Sequence, residues 1–129
     1  MVFDFSTADT SAIKVLIISD EKQIQAFLKD LLTGIGIPDI KLAQNLAECF
    51  NQLSHFQANL ILIDLDMADG VKLARSIKRI YDKLPVIAMC HDLKPEFSDI
   101  AQMALCSVLI KPLSGRSLTR SLETMMREK

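Results

Sequence analysis

The sequence predicts an α/β domain built on a five-stranded parallel sheet with helices on both faces. Five short apolar segments alternate with longer segments of helical spacing. The apolar segments run on consecutive positions rather than alternating, the pattern of strands covered on both sides. Strands separated by a helix need crossover connections, and crossovers give parallel pairing.

The strand segments are IKVLIIS (13–19), the weaker DIKLA (39–43), NLILID (59–64), PVIAMC (85–90) and SVLIK (107–111). Between them, Ile24, Phe27, Leu28, Leu31, Leu32 and Ile35 recur at three and four residues, with Gly34 and Gly36 as stop signals. Asn45 followed by Glu48 reads as a capping box for a helix carrying Leu46, Phe50 and Leu53. Val71, Ala74, Ile77, Ile80 and Tyr81 fit a third helix. Phe97, Ile100, Ala101, Ala104 and Leu105 fit a fourth, with Pro95 near its start. Leu118, Leu122, Met125 and Met126 fit a fifth, capped by Ser114. Residues 1–12 are polar and aperiodic and read as a flexible N-terminal arm, leaving 13–129 as one domain.

Composition excludes several functions. A chain of 129 residues, half apolar and a quarter charged, suits one folded domain. A net charge of −1 gives no basic excess for direct nucleic-acid binding. No apolar run can span a membrane, and the N-terminus lacks the features of a signal peptide. Cys49, Cys90 and Cys106 are an odd, widely spaced set, which suits buried free thiols in a reducing cytoplasm. His55 and His91 are the only histidines, too few for a His-rich metal site, and both read as solvated.

Ligands of open parallel sheets sit beyond the carboxyl ends of the strands. There the sequence places Ser19, Asp20 and Glu21 after the first strand, and Asp64 and Asp66 at and after the third. Cys90 and His91 end the fourth, and Lys111 and Pro112 follow the fifth. Clustered carboxylates repel, and a divalent cation such as Mg²⁺, which favours oxygen ligands, relieves that. A neighbouring lysine adds a point charge for a phosphoryl oxygen. A carboxylate nucleophile, a metal and an ammonium together suit phosphoryl transfer.

The segments VLIISDE, NLILIDLDMADG, PVIAMC and VLIKPL, in this order, resemble the four signature segments of response-regulator receiver domains of two-component signalling. The resemblance covers residues 13–126 and implies the flavodoxin-like (βα)5 fold of the chemotaxis regulators. It implies that Asp64 is the phospho-acceptor. It implies that Mg²⁺ is held by Asp20, Asp64 and the backbone carbonyl of Asp66, and that Lys111 contacts the phosphoryl group. It makes Lys111–Pro112 a candidate cis peptide. It implies a histidine kinase or phosphotransfer protein as donor, and a homodimer or signalling face formed by the fourth helix, fifth strand and fifth helix. On this reading the domain is no turnover enzyme and at most phosphorylates and dephosphorylates itself. No output domain is expected after the fifth helix, so the chain reads as a stand-alone regulator or a piece of a longer protein.

The sequence also departs from the family. Ser19 stands at an acidic position that holds the metal through water. Cys90 replaces the hydroxyl residue of the switch, and Val108 replaces its aromatic partner. Ala68 stands where proline is usual, in a loop two residues shorter than the common pattern, and Ala104 replaces a frequent glycine. A thiol is a weak donor. A hydrogen bond to a charged group is worth about 1.5–3 kcal/mol, comparable to typical allosteric coupling of about 1–3 kcal/mol. The alternative is therefore a degenerate receiver, an interaction module independent of phosphorylation. A small cofactor binder is disfavoured, because the acidic ISDEKQ follows the first strand where a glycine-rich phosphate loop would be needed.

Overall fold

The structure is a computed structural model that describes residues 12–127. The arm expected over 1–12 lies, apart from Ala12, outside the described residues, as does the side chain of Met126. Five strands form one sheet: β1 (Lys14–Ile18), β2 (Asp39–Ala43), β3 (Leu60–Asp64), β4 (Val86–Cys90) and β5 (Cys106–Ile110). Their order is β2-β1-β3-β4-β5, and every neighbouring pair is parallel. The connecting helices are α1 (Lys22–Gly34), α2 (Leu46–His55), α3 (Gly70–Ile80), α4 (Ser98–Ala101) and α5 (Gly115–Arg127).

Burial explains the strand pattern. β3 and β4 are buried at every position, and β1 at all but Lys14. Leu16, Ile18, Ile61, Ile63 and Ala88 face one way, toward Leu73, Ala74 and Ile77 of α3 and Cys49 of α2. Val15, Ile17, Leu62, Ile87 and Met89 face the other, toward Leu28 and Leu32 of α1 and Leu118, Leu122 and Met125 of α5. The sheet edges β2 and β5 are only half-buried along most of their length.

The capping box at α2 forms with a shift of one residue. The Asn45 side chain accepts from the Glu48 amide at 2.9 Å, while the Glu48 carboxylate accepts from the Gln44 amide at 2.9 Å. One apolar stripe ends sooner, and another is narrower, than the periodicity suggests. In α3 the buried positions are Gly70, Leu73, Ala74, Ile77 and Lys78. The next turn would bring in Tyr81, but the chain leaves the helix there, so Ile80 and Tyr81 are exposed. In α1, Phe27 lies beside the buried stripe and is 41% exposed.

The fourth helix is the main correction. The spacing predicts it through Leu105, yet α4 spans only Ser98–Ala101, after a 3₁₀ turn at Pro95–Phe97. The sheet decides this. The Leu105 carbonyl accepts from the Val86 amide at 2.9 Å, so Leu105 already belongs to the approach to β5. Leu105 adopts a left-handed φ of 56°, which an ordinary helix cannot contain.

The start of α3 sets how closely the backbone packs behind the end of β3. A Cβ on Gly70 would stand 2.5 Å from the Asp64 carbonyl oxygen and 3.1 Å from Leu65 backbone atoms. These are backbone atoms, which cannot turn aside as a side chain would. Gly70→Ala is expected to lower stability by about 1–3 kcal/mol, measured as a lower urea midpoint with unchanged slope.

Candidate functional site

Asp64 ends a strand buried at every position, and its side chain is wholly shielded from solvent. A buried carboxylate needs several donors, and three surround it. Its Oδ1 accepts from Lys111 Nζ at 2.9 Å and from the Asp66 amide at 3.0 Å. Its Oδ2 accepts from the Ser19 hydroxyl at 3.0 Å. Lys111 reaches Asp64 across the end of β4, because β4 lies between β3 and β5 in the sheet.

The lysine is shared. Lys111 Nζ also lies 3.0 Å from Asp66 Oδ2, and the lysine side chain is only 4% exposed. Burial opposes its charge, but the hydrogen bonds and charges of Asp64 and Asp66 outweigh that and raise its pKa above the ordinary lysine value. The Lys111 amide donates to the Cys90 carbonyl at 2.8 Å, which ties the end of β5 to β4. The Lys111–Pro112 bond is cis.

Asp66 does more with its side chain than the sequence suggested. Beside Lys111, its Oδ2 accepts from the His91 amide at 2.9 Å, with His91 Nε2 at 3.9 Å. Ser19 is wholly buried, and its oxygen also accepts from the Glu21 amide at 3.1 Å. Gln25, on the first turn of α1, donates to the Ser19 carbonyl. The spacing of Asp66 two residues after Asp64 was the available signal for its role. Nothing in the sequence signalled the Ser19 and Gln25 contacts.

The family model described as response regulator receiver domain matches residues 15–123. The chain belongs to the response regulator receiver domain family. Among solved structures, a two-component response regulator from Clostridium difficile is 27% identical, with TM-score 0.76, covering 89% of this chain and 96% of that one. The signal receiver domain of a DNA-binding response regulator from Colwellia psychrerythraea 34H is 25% identical, with TM-score 0.77, covering 91% and 99%. A CheY-like receiver domain protein from Methanospirillum hungatei JF-1 shares the fold at TM-score 0.80 and 21% identity, covering 91% and 96%. Comparison with curated protein sequences gives no match. Among the described residues, no helix is long and apolar enough to cross a membrane.

Cys90 and Val108 have identifiable surroundings. Cys90 is wholly buried, and among the described residues its thiol makes no hydrogen bond. Burial first, and Asp66 next, push its pKa above the ordinary thiol value. Val108 is half-buried on β5 beside the face that holds Cys90. Neither supplies the hydroxyl or the ring of the usual switch.

The residues that would hold Mg²⁺ fit it in part. Asp64 Oδ2 takes one hydrogen bond and keeps further acceptor capacity. The Asp20 side chain is exposed and makes no ion pair or hydrogen bond among the described residues. No cluster of three or more Asp, Glu, His or Cys side chains suited to a metal occurs among the described residues.

The Lys111–Asp64 pair sets a stability test. Removing one partner of a buried ion pair costs about 3–5 kcal/mol, since the other charge is left without compensation. Lys111→Met is expected to lose that amount at neutral pH by chemical denaturation.

Proposed function

We propose that this receiver domain accepts a phosphoryl group on Asp64 from a histidine kinase or phosphotransfer protein. The observation that carries the reading is the Asp64–Lys111 geometry: a fully buried carboxylate at the strand end, 2.9 Å from a buried ammonium. An Asp64 oxygen attacks the donor's phosphorus, an acyl phosphate bond forms, and the donor leaves with the electron pair of its broken bond. Lys111 Nζ neutralises negative charge at the phosphoryl oxygens. The Asp66 amide and the Ser19 hydroxyl hold the Asp64 carboxylate in one orientation. Asp20, Asp64 and the Asp66 carbonyl are the residues that would hold Mg²⁺. When bound, it supplies further charge neutralisation of the transferring group.

A groove of about 250 Å³ beside Lys111 supports docking of a donor protein. It is lined by Ile24, Phe27, Pro112 and Leu113 together with His91. The groove adjoins Lys111, whose ammonium meets Asp64. The output face is read on α4, β5 and α5, where Ile110 is 48% exposed. With α4 only four residues long, that face is narrower than the family pattern implied. The domain is read as cytoplasmic, with no turnover beyond its own phosphorylation and hydrolysis.

A second reading, an interaction module independent of phosphorylation, is favoured by the unpartnered Cys90 thiol and aliphatic Val108. Intact mass after incubation with acetyl phosphate and Mg²⁺ separates the two. One phosphoryl group is expected on the wild type and none on Asp64→Asn. No gain on the wild type under forcing conditions would leave the second reading. Restoring the acid with Ser19→Asp is expected to tighten Mg²⁺ binding about tenfold, the scale of losing or gaining an outer partner of a metal site. Isothermal calorimetry reads this directly.

A further inference from the structure

A side-chain link joins Asp64 to the segment after β4 without passing through Cys90. Lys111 Nζ lies 2.9 Å from Asp64 Oδ1 and 3.0 Å from Asp66 Oδ2. The same Asp66 oxygen accepts from the His91 amide at 2.9 Å. The segment that begins at His91 is fastened at its other end by Arg75 of α3. Arg75 Nε donates to Asp99 Oδ2 at 2.7 Å, and Nη2 donates to the Glu96 carbonyl at 2.8 Å. Both fastenings therefore reach back to the β3–α3 unit, and the first shares its counter-ion with Asp64. Between them Leu93, 61% exposed, lines a surface groove of about 300 Å³ with Lys94, Pro95, Ser98, Ala101 and Gln102.

We propose that Asp66 is the positioning residue that conveys the charge state of Asp64 to residues 91–101. One ammonium divides its attraction between two carboxylates. When an acyl phosphate replaces the Asp64 anion, Lys111 is drawn to the phosphoryl oxygens. Asp66 then loses part of its counter-charge and faces a new anion. Its hold on the His91 amide weakens, and the Leu93 groove moves with the segment. When Asp64 is instead made neutral, Lys111 turns wholly to Asp66, and the same bond changes in the opposite setting. The coupling takes the place of the hydroxyl relay that Cys90 and Val108 no longer supply.

This coupling extends the phospho-acceptor reading, which names the event that changes Asp64, yet it can be tested with no phosphoryl group present. Amide hydrogen exchange is read over residues 91–101 in the wild type, Asp64→Asn, Asp66→Ala and the double variant. Asp64→Asn is expected to change exchange of the segment by about tenfold when Asp66 is present, within the range of typical coupling. With Asp66→Ala as background, the same change should stay within about twofold, the limit of independent sites. Asp66→Asn keeps an acceptor for the His91 amide but no charge for Lys111. It should restore resting protection without restoring the response, and it carries the comparison alone if the alanine variant does not fold. An equal response to Asp64→Asn in both backgrounds is what a merely structural Asp66 would give, and it overturns the coupling. So does a wild-type segment that ignores Asp64→Asn. The mass measurement fails independently of this cycle, because it reads acceptance and the cycle reads transmission.

Discussion

The ammonium of Lys111 stands between two carboxylates, 2.9 Å from one and 3.0 Å from the other, and the carboxyl edge of the sheet is arranged around it. Asp64 and Asp66 belong to the end of β3 and the loop after it, while Lys111 follows β5, two strands away. The parallel sheet brings Lys111, 47 residues from Asp64, to the same edge as the two carboxylates. The burial of Lys111 is affordable because each of its neighbours returns charge to it. Without the two carboxylates, burial alone would lower the Lys111 pKa.

Ser19 changes the electrostatic balance of this edge. An acid at that position would add a third negative charge beside Asp64. The hydroxyl instead donates to Asp64 Oδ2 and accepts the Glu21 amide. Among the described residues, no buried side-chain nitrogen or oxygen lacks a hydrogen-bond partner. The resting pocket is therefore satisfied by protein donors alone.

The short α4 follows from competition between helix and sheet for the same residues. Leu105 is claimed by β4 through its carbonyl, and the chain turns at a left-handed φ to allow it. β5 is left half-covered, and α4 and the turn before it are fastened by Arg75 to Asp99 and to the Glu96 carbonyl. Exposed pairs of this kind contribute modestly to stability. Their consequence here is geometric, since they bind the segment to the same α3 that starts beside Asp64 at Gly70.

The order of elements, the parallel sheet and the residues at the strand ends, Ser19, Asp64, Asp66, Cys90 and Lys111, were legible in one dimension. They follow from local hydrophobic patterning, whereas Val108 drew notice only through the family resemblance. The tertiary structure decided the rest. Whether Tyr81 and Phe27 are buried depends on where a helix leaves the sheet, not on periodicity. The length of α4 depended on a hydrogen bond to a strand nineteen residues earlier, and no window of local sequence contains it. The side-chain role of Asp66 and the donor role of Ser19 depended on partners 25 and 45 residues away. Hydrogen bonds are directional and short, so only assembled strands could show which carboxylate shares its lysine and which hydroxyl turns inward.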